Sequence, residues 1–209
     1  MAKIAIQGNP AGTGTITFQP PNTNTNRTIS LPDVDGTMAV VSQVNSLEVA
    51  KLNKSDNIVL GASVVASGTA IDFVGIPAGV KRITVMFDGV STNGTSNPLI
   101  QLGSSGGVEI AGYVSTGTRL DETGSGKTSL SSGIVVSSIL AANAISLNAL
   151  FCLVSGNSWV CGYSGCTASQ TFSGGGSKAL SNTLDRIRIT TVNGTDLFDA
   201  GTINISWEY

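Results

Sequence analysis

Apolar and polar residues alternate along most of this chain, and a period of two is the mark of strands that bury one face. From residue 68 onward the pattern predicts nine strands, over 70–74, 82–88, 98–102, 108–114, 132–139, 145–154, 158–163, 185–192 and 202–208. Turns rich in Pro, Gly, Asn and Ser separate them at the spacing of a β-sandwich. Ile187 and Ile189 alternate with Arg186 and Arg188, so the isoleucines are expected in the core and the arginines in solvent. Ile203, Ile205 and Trp207 repeat that pattern in the last strand. No helix-length periodic segment lies between strands, which argues against parallel βαβ units. The expectation for 68–209 is an all-β, jelly-roll-like sandwich.

Two other zones precede it. Residues 1–38 hold a short alternating segment near Lys3 and two more over 15–18 and 27–31, flanking a polar Asn/Thr loop. Such a β-hairpin cannot bury enough surface to stand alone, so residues 1–38 read as an assembly or anchoring appendage. Over 39–67 the period changes. Val40, Val44 and Leu47 recur at three- and four-residue spacing, which predicts a helix of about three turns, with 53–67 as a linker. Three copies could bury the Val40, Val44 and Leu47 stripe as a trimer neck. A single helix lying on the following domain is the other reading.

Composition narrows the function. Of the 209 residues, 41% are hydrophobic, so a packed core is available, but only 11% are charged. Gly, Ser, Thr and Asn take the place of the missing charges. The 11 Lys and Arg are scattered and the net charge is −2, which is unlike the clustered basic stripe of a nucleic-acid binder. No segment approaches the length of a membrane span, and no amino-terminal stretch has signal-peptide character. Synthesis and residence in a cytoplasm until lysis are therefore expected. The chain has no His, which removes Ser-His-Asp and Cys-His catalysis and the commonest transition-metal ligand.

The wording of several segments resembles tailed-bacteriophage virion proteins. Asn26-Arg27-Thr28-Ile29-Ser30-Leu31-Pro32-Asp33 followed by Asp35-Gly36-Thr37 is similar to a segment of tail fibres. Phe73-Val74-Gly75-Ile76-Pro77-Ala78-Gly79-Val80 resembles the opening of a carboxy-terminal domain of phage tail and virion proteins. Gly103-Ser104-Ser105-Gly106-Gly107, Arg188-Ile189-Thr190-Thr191-Val192 and Phe198-Asp199-Ala200-Gly201-Thr202 accompany it. The resemblance implies a structural virion component rather than an enzyme. Its expected form is a homotrimeric tail fibre or fibre-like appendage, held by other virion proteins, whose head touches a host glycan or protein. The alternative is a capsid or neck decoration protein with no receptor. No cofactor and no catalytic residue are implied.

Several local patterns tempt and fail. Gly124-Ser125-Gly126-Lys127-Thr128 ends like a phosphate-binding loop, but Asp121 stands where the first Gly belongs. Asp33-Val34-Asp35-Gly36 opens like a calcium loop, yet Thr37 and Val44 occupy later ligand positions. Asp121 and Glu122, an adjacent acid pair in a Gly/Ser-rich stretch, are poorly suited to the rigid separation that glycoside hydrolysis needs. The turn Ser155-Gly156-Asn157-Ser158 predicts a tight hairpin in which Cys152 faces Cys161, as thiols or as a late disulfide. Trp159, Cys161 and Tyr163 share a strand face, either core or sugar-stacking. Host contact is expected from two loops. One, over 115–131, carries Arg119, Asp121, Glu122 and Lys127; the other, over 164–177, has Tyr163 at its base and Phe172 inside.

Overall fold

The computed structural model describes residues 11–13, 24, 58–137 and 143–209. By internal contacts the chain forms two compact units, Met1–Val44 and Asn45–Tyr209. The expected hairpin over 15–31 and the expected neck residues Val40, Val44 and Leu47 lie outside the described residues.

The described part of the second unit is all β, with every strand pair antiparallel. In chain order the strands are β1 (Ile58–Leu60), β2 (Val64–Val65), β3 (Ala70–Val74), β4 (Arg82–Thr92), β5 (Pro98–Ser104), β6 (Gly107–Val108) and β7 (Tyr113–Asp121). They continue as β8 (Gly124–Leu130), β9 (Ile134–Val135), β10 (Ile145–Ser155), β11 (Ser158–Cys166), β12 (Gln170–Ala179), β13 (Leu184–Thr191) and β14 (Phe198–Glu208). The larger sheet runs β1-β14-β4-β10-β11-β12-β7-β8, with β2 also on β14; the smaller runs β3-β13-β5-β6, with β9 also on β5.

One hydrophobic core joins the two sheets. Ile71 and Phe73, Ile100 and Leu102, and Ile187 and Ile189 come from the smaller sheet. Ile83, Val85 and Phe87, Leu147, Ala149 and Phe151, and Ile203 and Ile205 come from the larger. Each set recurs at i and i+2, so the pleat alone directs them inward. The expected alternation of Ile187/Ile189 with Arg186/Arg188 holds: both isoleucines are fully buried, and Arg188 makes a two-pronged ion pair with Asp72 at 2.7 Å on the outer side.

Four of the expected segment assignments differ in the structure. Residues 58–65 are not linker: β1 and β2 pair with β14, and the neighbouring Ala66 is buried. The strand expected over 108–114 is divided, because β6 ends at Val108 and β7 begins only at Tyr113. Within the segment expected as a strand over 132–139, only Ile134–Val135 is a strand among the described residues. The two expected loops are strands. Residues 115–131 form most of the β7–β8 hairpin, and 164–177 run from β11 into β12.

Those two segments hide from a hydrophobic-periodicity reading because many of their inward positions are glycine or polar. Tyr163, Gly174 and Gly117 lie opposite one another on β11, β12 and β7. The Tyr163 ring crosses both glycines; a Cβ at either would run into its hydroxyl. Phe172 covers Gly165 in the same way, and Arg119 covers Gly126. Aromatic side chains laid over strand glycines restore the packing that the glycines lack. The tyrosine hydroxyl then donates to the Val135 carbonyl at 2.6 Å and accepts from the Ser137 N–H at 3.4 Å, fixing the chain beneath the sheet.

The cysteine pairing also differs. Val154 is an extra residue in β10, a bulge that shifts the register between Leu153 and Ser155. Cys152 therefore faces Val160 and Cys161 faces Phe151, and all three cysteines are free thiols.

Candidate contact surface

Four adjacent strands, β11, β12, β7 and β8, present their outward side chains as a grid. One row across them reads Gly162, Gly175, Thr116 and Ser129; the next reads Ser164, Ser173, Thr118 and Lys127; the third reads Cys166, Thr171, Leu120 and Ser125. Neighbouring positions are about 4.8 Å apart across the strands and about 6.6 Å apart along them. Lys127 is the one charge in these three rows. Some hydroxyls knit the grid together: Thr116 and Ser129 meet at 3.0 Å, and Thr118 donates to the Ser173 carbonyl at 3.2 Å. The third row borders a shallow trough of about 350 Å³, lined by Thr118, Leu120, Ser125, Thr171 and Ser173 together with Arg119 and Phe172. Leu120 is 60% exposed at its centre.

The hairpin that carries the third row ends in the turn at Glu122 and Thr123. Asp121 holds this turn by accepting hydrogen bonds from the Thr123 hydroxyl and from the Thr123 N–H at 2.9 Å. Arg119 Nε is 3.4 Å away. The Thr123 hydroxyl first, then its N–H and Arg119, keep the Asp121 carboxyl below the ordinary range and therefore ionised. A second depression, of about 410 Å³, lies between this turn and residues 167–169.

The residues singled out for host contact thus separate into two groups. Arg119, Asp121, Glu122 and Lys127 gather on the β7–β8 hairpin, on strands and one tight turn rather than on a long loop. Arg119 and Asp121 share the inward side of β7, Lys127 stands on the outer grid, and Glu122 sits at the tip. Tyr163 and Phe172 are buried core residues. Of the two readings of Trp159, Cys161 and Tyr163, the structure selects the core. Burial pushes the Tyr163 hydroxyl and the Cys161 thiol up to about 12, so both stay neutral.

Thr118, Leu120, Ser125, Thr171 and Ser173 lie within the two segments expected to make host contact but are not among the residues singled out there. Their trace in the sequence is faint: Thr116-x-Thr118-x-Leu120 and Thr171-x-Ser173-x-Gly175-x-Ser177 alternate at period two with no apolar partner set.

Where β7 begins, a buried polar cluster pins the edge of the platform. Lys178, 8% exposed, pairs with Glu109 at 2.6 Å, donates to the Ala111 carbonyl at 2.9 Å and lies 5.3 Å from the Tyr113 ring centre. Burial pushes the Glu109 carboxyl up, but hydrogen bonds from Lys178 and Ser181 outweigh it and bring its pKa down to about 2. Among the described residues no three His, Cys, Asp or Glu side chains are grouped to hold a metal, and no helix is long and apolar enough to cross a membrane.

Compared with known proteins, the chain matches no protein-family model, no curated protein and no solved structure.

Proposed function

We propose that this chain is a structural component of a bacteriophage virion: a homotrimeric tail fibre or fibre-like appendage, attached through other virion proteins, whose jelly-roll-like head touches the host surface. The observation that carries this reading is a division of labour between two corners of the larger sheet. Ile58, on edge strand β1, shares a cross-sheet row with Glu208, Arg82, Cys152, Val160, Ser177 and Val114. Asp121, at the hairpin tip, lies six strand spacings across from β1 and seven residues beyond Val114. At about 4.8 Å per strand and 3.3 Å per residue, the two corners are roughly 40 Å apart along the sheet.

Their chemistry differs as a fibre head requires. The corner at β1 exposes Ile58 at 64% and Leu60 at 65%, apolar surface suited to burial in an assembly. The far corner is hydroxyl-rich and bears the ionised Asp121, suited to a wetted contact that forms and releases. The segment resemblance to tail fibres supports the same reading. Two antiparallel sheets, between which the chain passes from β3 to β4, β4 to β5 and β13 to β14, support the reading of a jelly-roll-like head.

Gold-labelled antibody against the full chain, viewed by electron microscopy on purified phage particles, tests the assignment. Label on tail appendages is the expected result. Label on capsid or neck would instead support the decoration reading, and particles without label would defeat both.

A further inference from the structure

We propose that the trough on the outer grid binds a neutral oligosaccharide, with a sugar ring's apolar face on Leu120 and its hydroxyls on Thr118, Ser125, Thr171 and Ser173. This deepens the host-contact reading and rests on it.

Three observations converge on that ligand class. The first is the match of hydrogen-bonding groups. Hydroxyls both donate and accept, and a sugar offers the same dual groups around its ring. Ser125 and Thr171 point from neighbouring strands to the two sides of Leu120, and neither hydroxyl has a partner among the described residues. Thr118 gives its proton to the Ser173 carbonyl and keeps its lone pairs for a donor. The second is the single exposed apolar side chain within this polar frame. A pyranose ring has a C–H face and a hydroxyl rim, and Leu120 inside a hydroxyl ring is the complementary shape. The third is charge. Lys127 on the grid and Arg119 at the trough, the latter paired with Asp121, do not make the basic cluster that a polyanion needs. A protein partner would need a larger apolar centre than one leucine. The underlying scaffold is rigid, because Tyr163, Phe172 and Arg119 hold the glycines from the inner side, so the hydroxyls are presented in fixed register.

The test uses the full chain against two probes of equal length, a neutral glucose heptamer and an anionic uronic-acid heptamer, by titration calorimetry. Leu120→Glu and Thr171→Glu alter the trough, and Thr84→Glu is a control on the same face of the sheet outside it. Circular dichroism checks that each variant keeps its fold. The expected result is binding of the neutral probe in preference to the anionic one, weakened at least tenfold by either trough variant and unchanged by Thr84→Glu. Binding that favours the uronate probe, or that ignores both trough variants, overturns the proposal. Phage adsorption separates this from the broader reading. Adsorption lost in Thr171→Glu particles while the wild-type chain binds neither probe would keep the contact surface, point to a protein receptor and sink the saccharide. Neutral-probe binding with unaffected adsorption would keep the saccharide site and remove host contact as its role.

Discussion

The two halves of the larger sheet reach the same antiparallel geometry by opposite means. In β14, β4 and β10 the inward positions are Ile, Val, Leu, Ala and Phe, and the pleat fills the core directly. In β12, β7 and β8 the inward positions include Gly174, Gly176, Gly117, Gly126, Ser115 and Lys178. There the volume is supplied by side chains lying across the strands: Tyr163, Phe172, Arg119, and Ile134 beneath Gly176. The first half is stabilised by what each strand buries. The second depends on what its neighbours lay over it, and that frees its outer face for small hydroxyls on a flat surface.

If the halves differ in this way, their mutational responses should differ. The largest effect is expected in the apolar half, where Phe151→Ala opens a cavity at a fully buried site and should cost about 4 kcal/mol in chemical denaturation. Next comes a polar substitution in the glycine half. Glu109→Gln leaves Lys178 buried with its charge uncompensated and should cost about 3 kcal/mol. The pH dependence has a definite sign. The folded pKa of Glu109, about 2, lies below the ordinary 4.5, so its contribution is complete above pH 4.5 and is lost as pH falls through 2. Thermal melts of wild type between pH 6 and 2 should show that loss, and Glu109→Gln should show less of it.

A glycine pair gives the sharpest comparison. In Gly174→Ala the new methyl would sit 2.5 Å from both the Tyr163 hydroxyl and the Thr116 carbonyl oxygen, at a cost of about 2 kcal/mol. Gly162→Ala, on the outer face with open space around it, should change stability by less than about 0.5 kcal/mol. Equal effects at the two positions would end the claim that inner glycines are occupied cradles. Smaller still than Gly174→Ala, Tyr163→Phe keeps the ring over the glycines but strands the Val135 carbonyl, and should cost about 1 kcal/mol by the same denaturation assay.

This contrast also explains what could be read from the sequence. Strands whose inward residues are apolar announce themselves: β3 matches the expectation to the residue, and β10 and β13 match it to within one residue at each end. The Gly/Ser/Thr strands β7, β8 and β12 read as loops, because a period of two made from glycine and hydroxyl residues looks like a flexible tract. What makes them strands is non-local. Tyr163 must already be in place for Gly174 and Gly117 to be good choices, and no window of sequence contains all three. The candidate contact region was therefore located only in part. Arg119, Asp121, Glu122 and Lys127 lie on the β7–β8 hairpin, Tyr163 and Phe172 are buried in the core, and Leu120 and Thr171 lie within the two expected segments without standing out in them.

The extra residue at Val154 has a chemical consequence of its own. It displaces Cys152 by one position relative to β11, so Cys152 faces outward with Val160 while Cys161 points into the core beside Phe151. A disulfide needs its two Cβ atoms on the same side at about 3.8 Å, and pleating sends these two to opposite faces of the sheet. The strand pairing is thereby made indifferent to oxidation at this pair: a change from a reducing to an oxidising medium adds no cross-link between Cys152 and Cys161.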